Sequence, residues 1–141
     1  MEKDFFINAV QMVEVDGAAN IPTVLLYGRS RSLLIGSAAL AEGAPEALNE
    51  DFKIDLGEID PASKKPRTPF FTATGIPKSA AELTADFLHE VVKNSREWMN
   101  NQGFKQAKSV LLAEPIALES SLVSEEWLAN YRKNLRRILV G

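Results

Sequence analysis

Apolar and polar positions in the first third of the chain predict short β-strands. Residues 5–15 are rich in β-formers, and a turn at Asp16-Gly17 ends this first predicted strand. The run Ile21–Tyr27 predicts a second strand, and its continuous apolar character is typical of a strand that is buried on both faces. After a turn at residues 28–31, residues 32–35 predict a third strand.

The middle of the chain predicts little regular structure. Residues 37–41 predict a helical turn that ends at Gly43 and Pro45. Residues 58–77 contain four of the seven prolines and predict a loop insertion or irregular β structure. Within this insertion, Phe70 to Thr74 predict one short strand.

A long amphipathic helix is predicted after the insertion. Ser79 and Glu82 have the spacing of a capping box, in which the hydroxyl accepts a hydrogen bond from a free backbone N–H and the carboxylate reaches back. The predicted helix ends near Asn101, just before Gly103. Its apolar face comprises Leu83, Phe87, Leu88, Val91, Val92 and Met99.

A buried strand and a second helix are predicted in the last third. Residues 109–113 predict the strand, which Glu114-Pro115 ends. Ser124 is placed to cap the helix, and Glu125 and Glu126 suit the positive end of its dipole. The apolar stripe of this helix comprises Leu128, Tyr131, Leu135, Ile138 and Leu139.

The order of these elements is β-β-β-loop-α-β-α, which predicts an α/β fold. Three successive strands followed by α, β and α favour a mixed sheet with helices packed on it. The crossover through residues 79–103 is expected to return its strand parallel to an earlier one. The 141 residues suffice for one domain, or for a piece of a larger one.

Composition and charge exclude several classes of function. The net charge is -3, which gives no general attraction to nucleic acid or to anionic lipid. The absence of cysteine excludes disulfides, thiolate metal sites and cysteine nucleophiles. No apolar run approaches the roughly 18 residues of a membrane span, and residues 1–4 do not lead into a signal-peptide core, so a cytoplasmic protein is expected.

Four stretches in a fixed order resemble one known family. They are IPTVLLYGRSRSLLIGSAAL (21–40), FKIDLG (52–57), IPKSAAELTADFLHEVVKNSREWM (76–99) and SVLLAEPIAL (109–118), the last followed by the helix to Gly141. Together they are similar to the N-terminal lobe of the DnaK-type heat-shock chaperone ATPases, within the actin-like ATPase superfamily. The resemblance covers about residues 20 to 141.

The resemblance implies an incomplete ribonuclease-H-like half-domain, so residues 1–141 are expected to form a single partial domain. The parent protein would bind Mg-ATP in a cleft between two lobes and hydrolyse it. KIDLG is not the family's phosphate loop, because it follows the third strand, whereas that loop opens the first. The motif of that loop, Asp-x-Gly-Thr, is absent from this sequence. The family's second phosphate motif and its adenosine motif are missing too.

This chain alone is therefore expected to be neither an active ATPase nor a tight binder of ATP and Mg, and its cofactor-binding residues stay unassigned. The remainder of the ATPase domain is the expected partner, and the chain is interpreted as a cloned piece or a truncated reading frame. The alternative is a freestanding interaction domain without ATPase activity, which would bury exposed apolar surface in a homo-oligomer. No nucleic-acid or membrane partner is expected under either hypothesis.

Lys53 is the candidate catalytic residue. By the resemblance it matches the lysine that reaches the γ-phosphate and the attacking water in DnaK-type ATPases. A lysine suits this role because a compact positive charge stabilises phosphate oxygens as negative charge shifts. The alternative interpretation is an exposed lysine at a strand edge.

Other polar residues give weaker signals. By the resemblance Pro115 matches a strand-end proline that relays nucleotide state, but a simple strand terminator is the favoured interpretation. His89 is the only histidine, so no metal site is predicted. No base is placed beside Ser120, Ser121 or Ser124, so none of them is predicted to be a nucleophile.

The last helix carries a basic stripe, and the chain carries scattered glycines. The stripe is interpreted as a solvated face whose charges suit the C-terminal end of the helix. Its members are Arg132, Lys133, Arg136 and Arg137. The glycines never form G-x-x-x-x-G-K or G-x-G-x-x-G, which sets aside Walker-type and Rossmann-type nucleotide sites.

Overall fold

The protein has a mixed α/β structure. The computed structural model describes residues 12–29, 32–57, 70–105 and 125–140. Within these ranges two small antiparallel sheets lie among α-helices, which confirms the predicted class at this level. The predicted strand at residues 109–113, its end at Glu114-Pro115, the cap Ser124 and the insertion up to residue 69 lie outside the described residues.

The larger sheet has three antiparallel strands. They are β1 (Val24–Tyr27), β2 (Leu33–Ile35) and β3 (Asn49–Glu50), in the order β2-β1-β3. Strand β1 is shorter than predicted, because the Val24 N–H donates to the Pro22 carbonyl at 2.9 Å and the chain is still turning there. Val24 and Leu25 are both buried, so the predicted burial of both strand faces is confirmed for these two residues.

The predicted turn at Asp16-Gly17 is confirmed, but the strand before it is wrong in its described part. Asp16 and Gly17 both have positive φ, 53° and 76°. This geometry reverses the chain at once, so Val15 forms only an isolated bridge with Ala18. Residues 12–14 belong to no strand, and residues 5–11 lie outside the described residues.

Two short helices connect the strands of this sheet to each other and to the insertion. Helix α1 (Gly36–Glu42) confirms the predicted helical turn, and the Gly43 N–H closes it by donating to the Ala39 carbonyl at 2.9 Å. A 3₁₀ turn, Pro45–Ala47, then leads into β3. Helix α2 (Phe52–Asp55) follows β3 directly.

A hairpin occupies the described end of the predicted insertion. Its strands are β4 (Phe70–Phe71) and β5 (Pro77–Lys78), which pair antiparallel. The strand predicted to reach Thr74 ends at Phe71, because Thr72 begins the turn. The Gly75 N–H donates to the Thr72 carbonyl at 2.8 Å, and Gly75 has a φ of 80°.

The long helix α3 (Ala80–Asn101) begins with the predicted capping box. The Glu82 N–H donates to Ser79 Oγ at 3.1 Å, and the Ser79 N–H donates back to Glu82 Oε1 at 3.5 Å. At the other end Gly103 has a φ of 77°, which suits the predicted stop. The boundaries predicted for this helix are confirmed.

Helix α4 (Glu125–Val140) has a buried face that differs in part from the predicted stripe. Tyr131 and Ile138 are buried as predicted, and Trp127 is buried as well. Leu139 is 48% exposed, so its assignment to the stripe was wrong. Leu139 lies about 100° around the helix from Ile138, which carries it away from the packed face.

Two hydrophobic clusters form the interior of the described residues. The first, here called the sheet core, comprises Leu25, Ile35, Phe52, Leu83 and Phe87. The second, here called the helix core, comprises Leu56, Trp127, Tyr131 and Ile138. Leu88 on α3 packs against both clusters. The segment that starts at α2 also joins them, since Phe52 lies in one and Leu56 in the other.

Candidate functional site

Lys53 lies in the first turn of α2, and its neighbours anchor this turn in the two hydrophobic clusters. Its neighbour Phe52 is buried in the sheet core, and Leu56, at the end of the same helical turn, is buried in the helix core. The Lys53 side chain is exposed. It therefore belongs to a helix and not to a strand edge, which corrects the alternative interpretation of its position. The surrounding packing fixes its backbone while the side chain extends to solvent.

Helix α4 holds the C-terminal end of α2. Asn134 Nδ2 donates to the Leu56 carbonyl at 2.6 Å, and Asn130 Nδ2 donates to the Gly57 carbonyl at 3.5 Å. Carbonyl groups at a helix end lack intrahelical partners, so these amides satisfy acceptors that would otherwise need water. The last turn of the Lys53 segment is thereby tied to a second helix.

Gly57, two residues after α2, lies close against the Trp127 ring of α4. A Cβ atom at this position would lie 2.4 Å from Cε2 of Trp127. The Trp127 ring in turn stacks on Tyr131, with ring centroids 5.0 Å apart. Glycine is required here for space and not for a positive φ, because only a residue without a side chain admits the indole.

The charge of Lys53 has no internal partner in the part of the chain that the structure describes. Ion pairs observed there include those of Lys78 with Asp86 and of Lys93 with Glu90, and Lys53 takes part in none. The ammonium group of Lys53 is thus available to an external anion. A lysine ammonium is a compact charge with three donors, which can pair with phosphate or carboxylate oxygens of a second molecule.

A cavity of about 150 Å³ opens beside Lys53. It lies where α2, α3 and α4 meet the chain just before β1. The described residues that line it are Thr23, Phe52, Lys53, Thr84, Phe87, Leu88, Tyr131 and Leu135. The Thr84 hydroxyl donates to the Ala80 carbonyl at 2.7 Å, so its only proton is already used. The interior is mainly apolar, and Lys53 is the one charged residue among these eight.

A second cluster combines Tyr27, Lys78 and Asp86. The Tyr27 hydroxyl donates to Asp86 Oδ2 at 2.6 Å, and Lys78 Nζ donates to the same oxygen at 2.7 Å. The Lys78 ammonium also lies 4.8 Å from the centroid of the Tyr27 ring. This cluster forms one wall of a broader depression of about 650 Å³ that Arg29 also lines.

The surroundings of Tyr27 favour the neutral phenol. Burial raises the pKa of its hydroxyl well above the ordinary value, and the hydrogen bond to Asp86 and the negative charges of Asp86 and Glu82 act in the same direction. Tyr27 is therefore a hydrogen-bond donor at neutral pH. The cluster connects β1, β5 and α3 and acts as a structural contact.

Sequence reasoning missed the Tyr27 cluster and the cavity. Tyr27 and Asp86 are 59 positions apart, and no local spacing connects them. Lys78 lies before the helix cap, so its pairing with Asp86 eight positions later is not a helical repeat. A partial signal for the cavity existed, since Phe87 and Leu88 were assigned to the apolar face of the long helix.

The other predicted residues fall into two groups. His89 is exposed on α3, and so are the four members of the basic stripe on α4. Among the described residues no three His, Asp or Glu side chains form a group that could hold a metal ion. Pro115, Ser120, Ser121 and Ser124 lie outside the described residues. The described helices include none that is long and apolar enough to cross a membrane.

Neither models of known protein families nor curated proteins give a match to this chain. The resemblance to DnaK-type ATPases therefore stays a prediction. The geometry around Lys53 is the observation from which a function can be argued.

Proposed function

We propose that this chain is part of the N-terminal lobe of a DnaK-like ATP-binding domain with an actin-like, ribonuclease-H-like core. The observation that carries the proposal is Lys53, an exposed cation with no ion pair among the described residues, on a helix anchored at both ends. In the complete domain Lys53 would contact the γ-phosphate of bound ATP.

The order of elements supports the proposal. Antiparallel strands come first, then the short segment that carries Lys53, then a small hairpin, the long capped helix α3 and finally α4. Three of the four stretches on which the resemblance depends carry these elements in the same order, and the fourth, at residues 109–118, lies outside the described residues. A lysine in the segment that follows the first strands is where that resemblance expects the phosphate contact.

The chemistry required of Lys53 is electrostatic. As a phosphoryl group leaves ATP, negative charge shifts among its oxygens, and a fixed cation stabilises this change without rearranging. The packing of Phe52 and Leu56 and the Asn134 hydrogen bond hold the backbone of Lys53 in place. Mg²⁺ would neutralise phosphate charge in the complete domain.

The 141-residue chain alone should bind ATP weakly under this proposal. One lysine supplies a small part of the contacts that a triphosphate needs, and the family's other phosphate motifs are missing from this sequence. Calorimetric titration of the chain with Mg-ATP should give no saturable binding in the low micromolar range. Saturable binding of Mg-ATP in the low micromolar range would contradict the assignment to an incomplete ATP-binding domain.

The decisive experiment uses the longest natural product that contains this chain. The flanking coding sequence should encode Asp-x-Gly-Thr upstream or a second lobe downstream. In that protein Lys53→Ala should lower single-turnover ATP hydrolysis by about 100-fold. Lys133→Ala removes an exposed lysine from α4 and should leave the rate unchanged. Equal rates for wild type and Lys53→Ala would overturn the proposal.

A second candidate function is a homodimeric interaction domain without ATPase activity. It is favoured by Phe71 and Ile76 on the β4–β5 hairpin, whose side chains are 71% and 58% exposed. Exposed apolar side chains on one hairpin suit a self-complementary contact with a second copy. Sedimentation should then show a dimer that Phe71→Ser with Ile76→Ser converts to monomer. A wild-type chain that is monomeric throughout the accessible concentration range would exclude this candidate.

A further inference from the structure

The cavity beside Lys53 has the size of one six-membered ring. Its volume is about 150 Å³. A cavity of roughly this volume, lined by aliphatic and aromatic side chains, admits a benzene molecule in other proteins. Phe52, Phe87, Leu88 and Leu135 supply that kind of lining here. The fit therefore concerns a compact apolar group and excludes a nucleotide base with its sugar.

The Thr84 hydroxyl adds little hydrogen-bonding capacity inside the cavity. Thr84 has already donated its proton to the Ala80 carbonyl. The Tyr131 ring is stacked on Trp127, and this stacking fixes the orientation of the Tyr131 ring. A ligand that carried several hydroxyl or amide groups into this space would lose hydrogen bonds to water without replacing them. The buried part of the ligand should accordingly be hydrocarbon.

Lys53 gives the cavity its preference for charge. It is the only charged residue among the described lining residues, and it has no described ion-pair partner. Its side chain is exposed, which puts the charge on the solvent side of a mainly apolar space. A ligand with an apolar ring and one anionic group at its end would match both features.

We infer that the cavity between α2, α3 and α4 is a binding site for a small aromatic monocarboxylate, with the ring against Phe87 and Leu135 and the carboxylate on Lys53. Benzoate is the simplest probe of this class. The inference depends on the cavity and on Lys53 alone, and it holds whether or not the chain belongs to an ATPase. Its test therefore uses the 141-residue chain and no nucleotide.

Titration of the isotope-labelled chain, followed by NMR, should show saturable shifts with benzoate. Benzyl alcohol has the same ring without the charge and should bind about two- to fivefold more weakly, the range of an exposed ion pair. Acetate has the charge without the ring and should not bind. Lys53→Met should abolish the difference between benzoate and benzyl alcohol, while Lys133→Met should keep it.

A pair of variants on α4 tests the location. Leu135→Phe adds volume to a lining residue and should remove binding of both aromatic probes. Leu128→Phe makes the same change at a partly buried position that packs on the helix core but does not line the cavity, and binding should persist. Leu88→Phe on α3 offers a second filling substitution if Leu135→Phe fails to fold.

Three outcomes would overturn the inference. One is the absence of saturable benzoate binding to a folded chain. The second is binding that survives both filling variants, since the ligand would then lie elsewhere. The third is equal affinity for benzoate and benzyl alcohol in the wild type, which would leave an apolar hole without a role for Lys53.

Discussion

Lys53 and Lys78 are both carried by segments that pack on α3, but their ammonium groups have different surroundings. Lys78 donates to Asp86 at 2.7 Å and lies over the Tyr27 ring, so protein groups compensate its charge. Lys53 is exposed and has no ion pair among the described residues. The comparison separates a lysine whose charge is compensated within the fold from one whose side chain the fold leaves exposed to solvent.

The two sites also differ in what holds them. Lys78 and Asp86 hold each other, with side chains 25% and 31% exposed, so each depends on its partner. Among the described residues Lys53 is held through its backbone alone, by the packing of Phe52 and Leu56 and by the hydrogen bond from Asn134. The pair of Lys78 and Asp86 should therefore be destabilised by substitution of its charged side chains. The Lys53 segment should be destabilised by substitution of the residues that anchor its backbone.

The largest loss of stability is expected from a substitution in the residues that hold the Lys53 backbone, with the lysine itself unchanged. Gly57→Ala forces a Cβ atom into the Trp127 ring, and we expect the free energy of unfolding to fall by about 2 to 3 kcal/mol. Urea denaturation measures this change. Gly75→Ala is the matched control, because its Cβ meets nothing within 4 Å and only its positive φ is strained, at a cost of about 1 kcal/mol. Equal losses would show that the Trp127 contact yields easily.

The next effect concerns the pair around Lys78. Asp86→Ala leaves the Tyr27 hydroxyl and Lys78 without their shared acceptor, and the loss should be about 1.5 kcal/mol, reduced by partial exposure. A double-mutant cycle with Tyr27→Phe should show that the two losses are not additive. Strict additivity would mean that the hydrogen bond contributes nothing to stability.

Alkaline pH should weaken the same cluster. Because the folded state raises the pKa of Tyr27, its contribution is complete below the ordinary value of about 10 and is lost as the pH rises through the folded pKa. The stability advantage of wild type over Tyr27→Phe, roughly 1 kcal/mol at neutral pH, should therefore shrink above pH 10. Chemical denaturation of both proteins across this range checks the sign. An advantage that grew with pH would contradict the assignment.

The smallest effect should come from Lys53 itself. Lys53→Met removes an exposed charge without a described partner, so the free energy of unfolding should change by less than about 0.5 kcal/mol. Thermal unfolding at neutral pH is sufficient to detect a larger change. A loss comparable to that of Asp86→Ala would mean that Lys53 stabilises the fold, and the contrast between the two lysines would disappear.

Local features of this fold were predictable from sequence, because their causes are local. Ser79 and Glu82 are three residues apart, and their capping box forms as predicted. Asp16 and Gly17 adopt the positive φ values that their turn requires. Even so, local propensity misjudged strand lengths, since β formers near Pro22 and Thr72 form turns through backbone hydrogen bonds.

The anchoring of the candidate site was not predictable, because it depends on distant contacts. Gly57 and Trp127 are 70 positions apart in the sequence. No feature of FKIDLG predicts that an indole ring packs against its glycine. Asn134 reaches Leu56 across a similar distance. Lys53 itself was identified by resemblance alone, and its fixed backbone became visible only in the structure.

Protection of Lys53 by nucleotide tests the central claim most directly. The longest natural product containing this chain would be acylated with an amine-reactive reagent, with and without Mg-ATP, and each lysine quantified by mass spectrometry. We predict that Lys53 reacts readily without nucleotide and is protected by Mg-ATP, while the reactivity of Lys78 stays unchanged. Equal acylation of Lys53 in both conditions, with ATP shown to be bound, would contradict the account.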